Sequence, residues 1–347
     1  MSEAPPFWFT KAGVPAWALS PLGFIYGRVA AKRMTQKASN MADVPVVCVG
    51  NFITGGAGKT PTALALGRIV KDMGLKHGFL SRGYGGSVNT PTLVDTEKNN
   101  AKDVGDEPLL LAQQAPTVVA ADRPAGAALL VEQRVDIIIM DDGFQNPSLH
   151  KDFSLAVVDA RRGIGNGFCI PAGPVRANLG IQLLASDAVL LIGKAPGAAQ
   201  VIRKAARAAK PILEAQISID NPQDFEGRRV LAFSGLADNK KFHISLEQAG
   251  AEIVEVRNFH DHHPFSTEEC RELLSYASAE KLVLVTTEKD HIRLRRMGGA
   301  QELLHTQSHP LRIHLTFDNP RTVEGLLEKM IAQAKAIRRA NREKTLA

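Results

Sequence analysis

Residues 50–60, Gly50-Asn51-Phe52-Ile53-Thr54-Gly55-Gly56-Ala57-Gly58-Lys59-Thr60, constrain this chain more than any other segment. They follow the apolar run 44–50 and precede a helical pattern over 60–73. A strand, a glycine-rich loop and a helix in that order turn backbone amides onto a phosphate, beside a helix N-terminus whose dipole favours negative charge. Lys59 can reach the β- and γ-phosphates of a nucleotide, and the Thr60 hydroxyl can ligate Mg²⁺. Pro61 suits the first turn of the helix. The strict Walker A pattern has glycine where this chain has Ile53, so the loop is a variant with Gly58-Lys59-Thr60 intact.

The surrounding pattern agrees with an α/β fold. Near-continuous apolar runs at 77–86, 117–122, 135–142, 153–159 and 188–193 read as strands buried on both faces of a mostly parallel sheet. Helical patterns at 124–134 and 199–210 separate them, which predicts a doubly wound, P-loop NTPase-like sheet. A second series begins near Arg228, with strands at 228–236, 251–256 and 281–290 and helices at 241–250 and 266–279. It reads as a smaller α/β unit entered through the Asn221-Pro222 turn. A final helical pattern covers 322–344. The expected organisation is an N-terminal amphipathic membrane-associated segment (1–40), a P-loop kinase core (41–220), a smaller α/β domain (221–320) and a C-terminal basic helix (321–347).

The 347 residues suit about two domains, and 44% hydrophobic with 22% charged residues excludes wholesale disorder. Cys48, Cys169 and Cys270 are far apart, which implies neither a disulfide framework nor a cysteine zinc site. No apolar run reaches 18 residues, so a transmembrane helix is not expected. The formal charge is +6, and its distribution is informative. Residues 1–40 hold five basic residues against Glu3, and residues 335–347 hold five against Glu343. Trp8 and Trp17 also lie near the N-terminus, and aromatics beside Lys and Arg suit an anionic membrane interface. Pro15, Pro21, Gly13 and Gly23 are expected to break any long helix there.

Polar clusters follow several of the expected strands. They include Ser81-Arg82-Gly83-Tyr84, Gly105-Asp106-Glu107-Pro108, Asp141-Asp142-Gly143-Phe144-Gln145 and Thr287-Glu288-Lys289-Asp290. Strand-end loops gather at one edge of such a sheet, so these can line one cleft. Asp141, at the end of an apolar strand, is placed to hold Mg²⁺ with Thr60. Phosphoryl transfer to an alcohol needs a base and cations for the phosphoryl charge, and Asp106 with Lys59 and an arginine fits that inventory. His260, Asp261, His262 and His263 form a cluster without a second group at metal-ligand spacing.

These motifs, with Gly165-Asn166-Gly167 and Pro171-Ala172-Gly173-Pro174, resemble the tetraacyldisaccharide 4′-kinase family of lipid A biosynthesis over roughly residues 15–295. The resemblance implies ATP and Mg²⁺ as cofactors and a tetraacyldisaccharide 1-phosphate as substrate, phosphorylated on its 4′-hydroxyl. It also implies a monotopic protein on the cytoplasmic face of the inner membrane, acting as a monomer and not on nucleic acid. By the same resemblance His262 orients the base Asp106, and Asp141 and Asp142 stand near Mg²⁺ and substrate. Gly55, Gly56, Ala57, Gly58, Lys59, Thr60 and Thr287 are expected at the nucleotide. Arg82, Glu107, Gln145 and Arg176 are expected at the substrate. The family commonly has His where this chain has Asn146, and Glu where it has Ala177, so no role is carried over at either position. A P-loop ATPase or GTPase switch of the partitioning or metallochaperone type would share the loop. A basic nucleic-acid module would need a basic patch within the folded core and stacking aromatics, and aromatics are only 5% of the chain.

Overall fold

The computed structural model describes residues 4–346. After a 3-10 turn at Pro6–Phe9, α1 spans Val14–Met34. There follow β1 (Val46–Asn51), α2 (Lys59–Asp72), β2 (His77–Ser81), β3 (Thr92–Leu93), α3 (Ala101–Val104), α4 (Asp106–Ala112), β4 (Thr117–Val119) and α5 (Arg123–Glu132). Next come β5 (Ile137–Asp141), β6 (Phe153–Asp159), α6 (Leu179–Leu184), β7 (Ala188–Ile192), α7 (Ala199–Arg207) and β8 (Ile212–Ile219). A second unit holds β9 (Arg229–Ser234), α8 (Asn239–Gln248), β10 (Glu252–Asn258), α9 (Thr267–Glu280), β11 (Val283–Thr287), α10 (Glu288–Leu294), α11 (Gly299–Gln307) and β12 (Ser308–Leu311). The chain closes with β13 (Ile313–Phe317) and α12 (Pro320–Leu346).

Nine strands form one sheet in the order β13-β8-β7-β6-β1-β5-β2-β4-β3, and the smaller sheet is β10-β9-β11-β12. All pairings are parallel except β3 with β4 and β13 with β8, at the two edges of the large sheet. The central strands are buried on both faces, and side chains alternate between them. Val46 and Cys48 of β1 join the core under α5, α6 and α7. Val47 and Val49 join the core under α2 and α12. β1 lies between β5 and β6, so its carboxyl end opens where the strand order reverses, the usual place for a ligand crevice.

β8 and β13 correct the sequence reading. β8 alternates in burial and lacks the continuous apolar run that marked its neighbours. β13, expected within the smaller unit, pairs antiparallel with β8 of the large sheet. The chain thus leaves the core along β8 and returns along β13. Asn221 ties the two crossings together: its side chain accepts from the Arg312 amide at 2.9 Å and donates to the Pro310 carbonyl and to Asp224.

α1 also differs from expectation, because it runs unbroken through Pro21. Pro21 cannot donate to the Trp17 carbonyl, and the Ser20 hydroxyl donates to that oxygen instead, at 2.8 Å. Nor is the helix two-faced in the usual sense. Its buried stripe is small, Ala16, Gly23 and Gly27, with the two glycines seated on the loop at Cys169. Trp17, Leu22, Phe24, Ile25 and Val29 are exposed. Trp8, by contrast, is buried and donates from its indole nitrogen to the Pro171 carbonyl at 3.0 Å. A Cβ at Gly23 would stand 2.7 Å from the Cys169 carbonyl oxygen. Gly23→Val is therefore expected to cost about 1–3 kcal/mol through overpacking, read as a lowered melting temperature. An unchanged melting temperature would contradict this seat. No helix among the described residues is long and apolar enough to cross a membrane.

At the other end, the basic residues of α12 are not all free for an outside partner. Arg338 is buried, pairs with both oxygens of Asp152, and donates to the carbonyls of Ala42 and Val44. It fastens the last helix to the segment that enters β1.

Candidate active site

The glycine loop is anchored before it turns. Ile53, in place of the usual glycine, is buried and bridges antiparallel to Val175. The Thr54 amide donates to Pro174, and the Arg176 amide donates to Phe52. The flexible part of the loop therefore begins after Thr54. Gly55 and Gly56 have open space around them. Gly58 adopts φ 88° at the N-terminus of α2, a left-handed conformation that favours glycine, and a Cβ there would also have to displace the end of the Ile192 side chain, 2.5 Å away.

Lys59 and Thr60 then open α2 and face the end of β5. The Thr60 hydroxyl lies 3.2 Å from Asp141 Oδ2, and both residues are buried. Asp141 Oδ1 has no hydrogen-bond partner. Burial, and next Glu107, push the Asp141 carboxyl up to about 7. A hydroxyl and an unsatisfied buried carboxylate oxygen form a hard-oxygen donor set that fits Mg²⁺. A divalent cation would also remove the electrostatic reason for the raised pKa.

Asp142 is turned the other way. Its φ of 54° is left-handed, a conformation Asp tolerates better than most residues. Burial would raise its pKa, but Lys59 and Arg176 prevail and hold it at about 2. Arg176 grips it with two bonds, of 2.8 and 3.2 Å, and Lys59 stands 3.7 Å away. Arg176 also donates to Gln145, whose amide nitrogen donates to the Asn51 carbonyl. Lys59, Asp142, Gln145 and Arg176 thus form one connected group beside the loop.

The two positions that depart from the resembling family have local explanations. Asn146 Oδ1 accepts from the Ser148 amide and closes a turn. Ala177 is fully buried, where a glutamate would need a partner for its charge.

Asp106 stands at the first turn of α4, 4% exposed. Its Oδ1 accepts from the Glu107 amide at 2.9 Å, and its Oδ2 accepts from His262 Nδ1 at 3.1 Å and from Arg293. A carboxylate offers about four lone-pair sites, so one direction remains for a further donor. Burial raises the Asp106 pKa, but the His262 hydrogen bond, Arg293 and Lys289 together hold it far below the ordinary carboxylate range. Glu107 beside it is paired with Lys289. His262, Lys289 and Arg293 all come from the smaller unit, so this cluster joins the two units. A second line of contact pairs Lys241 with Asp159, and Asp238 with Arg161 and Arg162.

Thr287 ends β11, and Glu288, Lys289 and Asp290, expected within that strand, instead open α10. Thr287 caps α10, accepting from the Asp290 amide and donating to Asp290 Oδ2 at 2.7 Å. That cap aims the helix so that Lys289 and Arg293, four residues apart, reach Glu107 and Asp106. Arg293 escaped the sequence reading because the spacing signals nothing unless the segment is helical. It bridges Asp106 and the fully buried Asp290. Arg82 follows β2 with an exposed side chain, and Tyr84 packs edge-on to His262. In the neighbouring histidine cluster, His263 Nδ1 faces His260 Nε2 at 2.8 Å and His263 Nε2 meets Glu269. These nitrogens point at one another and do not converge on a common centre, and the described residues hold no group of three or more His, Cys, Asp or Glu side chains that could hold a metal ion.

The Asp106 bond raises the His262 pKa against the opposing effect of burial. It therefore adds stability that is complete below the free imidazole value of 6.5 and fades as pH climbs through the raised value. Urea unfolding of the wild type should show that decline. His262→Gln should remove this part of the pH dependence, and an identical profile in the variant would contradict the pairing.

The variant Walker A loop at the end of β1, with buried Asp141 beside Thr60 and the hydrogen-bonded Asp106–His262 pair joining the two units, is the arrangement of a P-loop phosphotransferase. The chain belongs to the tetraacyldisaccharide-1-P 4′-kinase family, whose model matches residues 15–332. It is 49% identical over 337 residues to the tetraacyldisaccharide 4′-kinase of Agrobacterium fabrum, covering 97% of each chain. It is 52% identical over 325 residues to that of Allorhizobium ampelinum, covering 92% of this chain and 94% of the relative. Its fold is similar to the crystal structure of LpxK from Aquifex aeolicus in complex with ATP, with a TM-score of 0.68 and 23% identity over 91% of this chain and 99% of that one.

Proposed function

We propose that the protein transfers the γ-phosphate of ATP to the 4′-hydroxyl of a tetraacylated glucosamine disaccharide 1-phosphate, a step of lipid A biosynthesis. The observation that carries this reading is the pairing of two constellations at one cleft. Thr60 and Asp141 suit a nucleotide-bound cation, and Asp106 with His262 suits an acceptor hydroxyl.

Lys59 and the amides of residues 55–60 hold the nucleotide phosphates. Thr60 and Asp141 would hold Mg²⁺, which when bound would offset charge on the phosphate oxygens. Asp142, fixed by Arg176 and Lys59, and Gln145 and Glu107 stand where the sugar reaches the phosphate, with Arg82 at the exposed rim. Asp106 accepts a hydrogen bond from the attacking hydroxyl through its remaining lone pair. Three positive groups make it a weak base, so it orients the hydroxyl first and receives the proton once the new O–P bond is largely formed. This order suits a loose transition state that leaves little covalent work to the protein. His262 keeps the carboxylate aimed. Thr287 contributes by starting the helix that carries Lys289 and Arg293.

In this reading α1 lies at the cytoplasmic surface of the inner membrane, which its exposed apolar side chains and Lys32 and Arg33 in its last turn support. The acyl chains of the acceptor stay in the bilayer beside it, and the protein acts as a monomer. The smaller unit, broadly residues 221–312, closes the cleft from the opposite side.

Acceptor dependence separates this reading from a P-loop hydrolase switch. ADP formation should be negligible with Mg²⁺-ATP alone and should rise in proportion to added acceptor lipid. ADP formation at the same rate without lipid would assign the protein to the hydrolase class.

A further inference from the structure

α1 does not stand alone on its side of the large sheet. It packs against α6, and α6 packs against α7. Leu184, the last residue of α6, is 70% exposed, and Ile202 on the outer side of α7 is also exposed. Around them the sequence is one-signed. Between Asp187 and Glu214 it contains Lys194, Arg203, Lys204, Arg207 and Lys210, and no acidic residue. Val201 and Ala205 bury the inner side of α7, which leaves Arg203, Lys204 and Arg207 exposed. None of these three forms an ion pair among the described residues. Lys210 leans back over α6 and donates to the Leu184 carbonyl at 3.4 Å, joining the charged and apolar parts of the patch.

An ordinary solvated helix face mixes both signs of charge and hides its large apolar residues. This face does neither, and it neighbours α1 through α6. We propose that α6 and α7 form a second membrane contact, in which Arg203, Lys204 and Arg207 meet the headgroups of anionic phospholipid while Leu184 and Ile202 enter the interface. The inference rests on the membrane reading of α1 and extends it. A single helix leaves the protein free to rotate about that helix. A second contact fixes the orientation of the sheet against the bilayer, so that the cleft meets a lipid headgroup repeatedly in one pose.

The test is cosedimentation of the full chain with vesicles of phosphatidylcholine containing about 30 mol % phosphatidylglycerol, comparing wild type with R203Q/K204Q/R207Q. Gln matches Lys and Arg closely in helix propensity, so α7 should persist, with an unchanged melting temperature. Each basic residue near an anionic surface strengthens binding roughly fivefold, so the triple variant should bind about a hundredfold more weakly at low salt. The gap should narrow in high salt. It should be absent on pure phosphatidylcholine, which carries no net negative charge for these three residues to meet. Leu184→Ser should weaken binding to both kinds of vesicle. Turnover on detergent-dispersed acceptor should stay unchanged in the triple variant, while KM for vesicle-borne acceptor rises. Equal binding of wild type and triple variant to anionic vesicles would overturn the second contact and leave the α1 reading standing. Failure of the wild type to bind any vesicle would overturn both. Loss of heparin binding without loss of vesicle binding would assign the patch to a soluble polyanion and overturn the proposal.

Discussion

Asp106→Asn is expected to lower kcat by about 10²–10⁴-fold while changing ATP affinity little. Asparagine keeps the size of the side chain and one acceptor oxygen, so the packing of α4 should survive. What disappears is the negative charge that points at the acceptor hydroxyl and can take its proton. The nucleotide side of the cleft, built from Lys59, Thr60 and Asp141, makes no hydrogen bond or ion pair with Asp106 and should be left intact. Steady-state kinetics with detergent-dispersed acceptor, beside nucleotide titration of the same preparation, separates the two effects. Equal losses in turnover and in ATP affinity would mean that Asp106 only holds the units together.

Arg293→Met should have the largest effect on stability. Arg293 is 10% exposed at its side chain and stands between Asp106 and Asp290, which are 4% and 0% exposed. Removing it leaves two buried carboxylates short of a partner, a kind of loss that costs about 3–5 kcal/mol. Asp106 would keep His262 and Lys289, whereas Asp290 would keep Thr287 and the Gly235 amide. Part of the loss should therefore appear as protonation of Asp290, whose pKa burial already raises. The variant should regain some stability as pH falls from neutrality, because the protonated acid no longer needs the cation. Urea unfolding at two pH values measures this. A change below about 1 kcal/mol, the range of exposed pairs, would contradict a buried bridge.

How much of this was legible in sequence depended on how strongly each element advertised itself. β1, β5, β6 and β7 are buried on both faces and were readable as apolar runs. The glycine loop and the Asp141-Asp142 pair were readable because their residue types have few other uses at those spacings. β8 was not readable, since its outer side chains face solvent, and β13 was hidden because its partners lie far back in the chain, 94 residues for the nearest pair (Ile219 with Ile313) and 102 for the farthest (Ala215 with Phe317).

 Ile313 faces Ile219 and Phe317 faces Ala215, a long-range pairing that no local pattern records. Pro21 read as a helix breaker, and the Ser20 hydroxyl that relieves it became visible only in three dimensions.

The candidate site divides in the same way. Residues within one segment, such as Lys59 with Thr60, carried their own signal. The partners of Asp106 did not. His262 entered through family resemblance, and Lys289 was noted in a segment read as the end of a strand. Arg293 went unnoticed because its meaning depends on Thr287 acting as a cap and on α10 facing α4. Local chemistry is written in the order of residues, whereas the charge balance of a buried carboxylate is set by elements that fold against it from far along the chain.

The most direct test of the central claim is the mass of the acceptor after reaction. Purified protein would be incubated with Mg²⁺-ATP and a detergent-dispersed tetraacyl disaccharide 1-phosphate, and the lipid analysed by mass spectrometry with fragmentation. The account predicts a gain of one phosphate, located on the 4′-oxygen, and a strongly reduced gain with Asp106→Asn at matched times. An acceptor of unchanged mass, in a preparation shown to bind ATP, would contradict it.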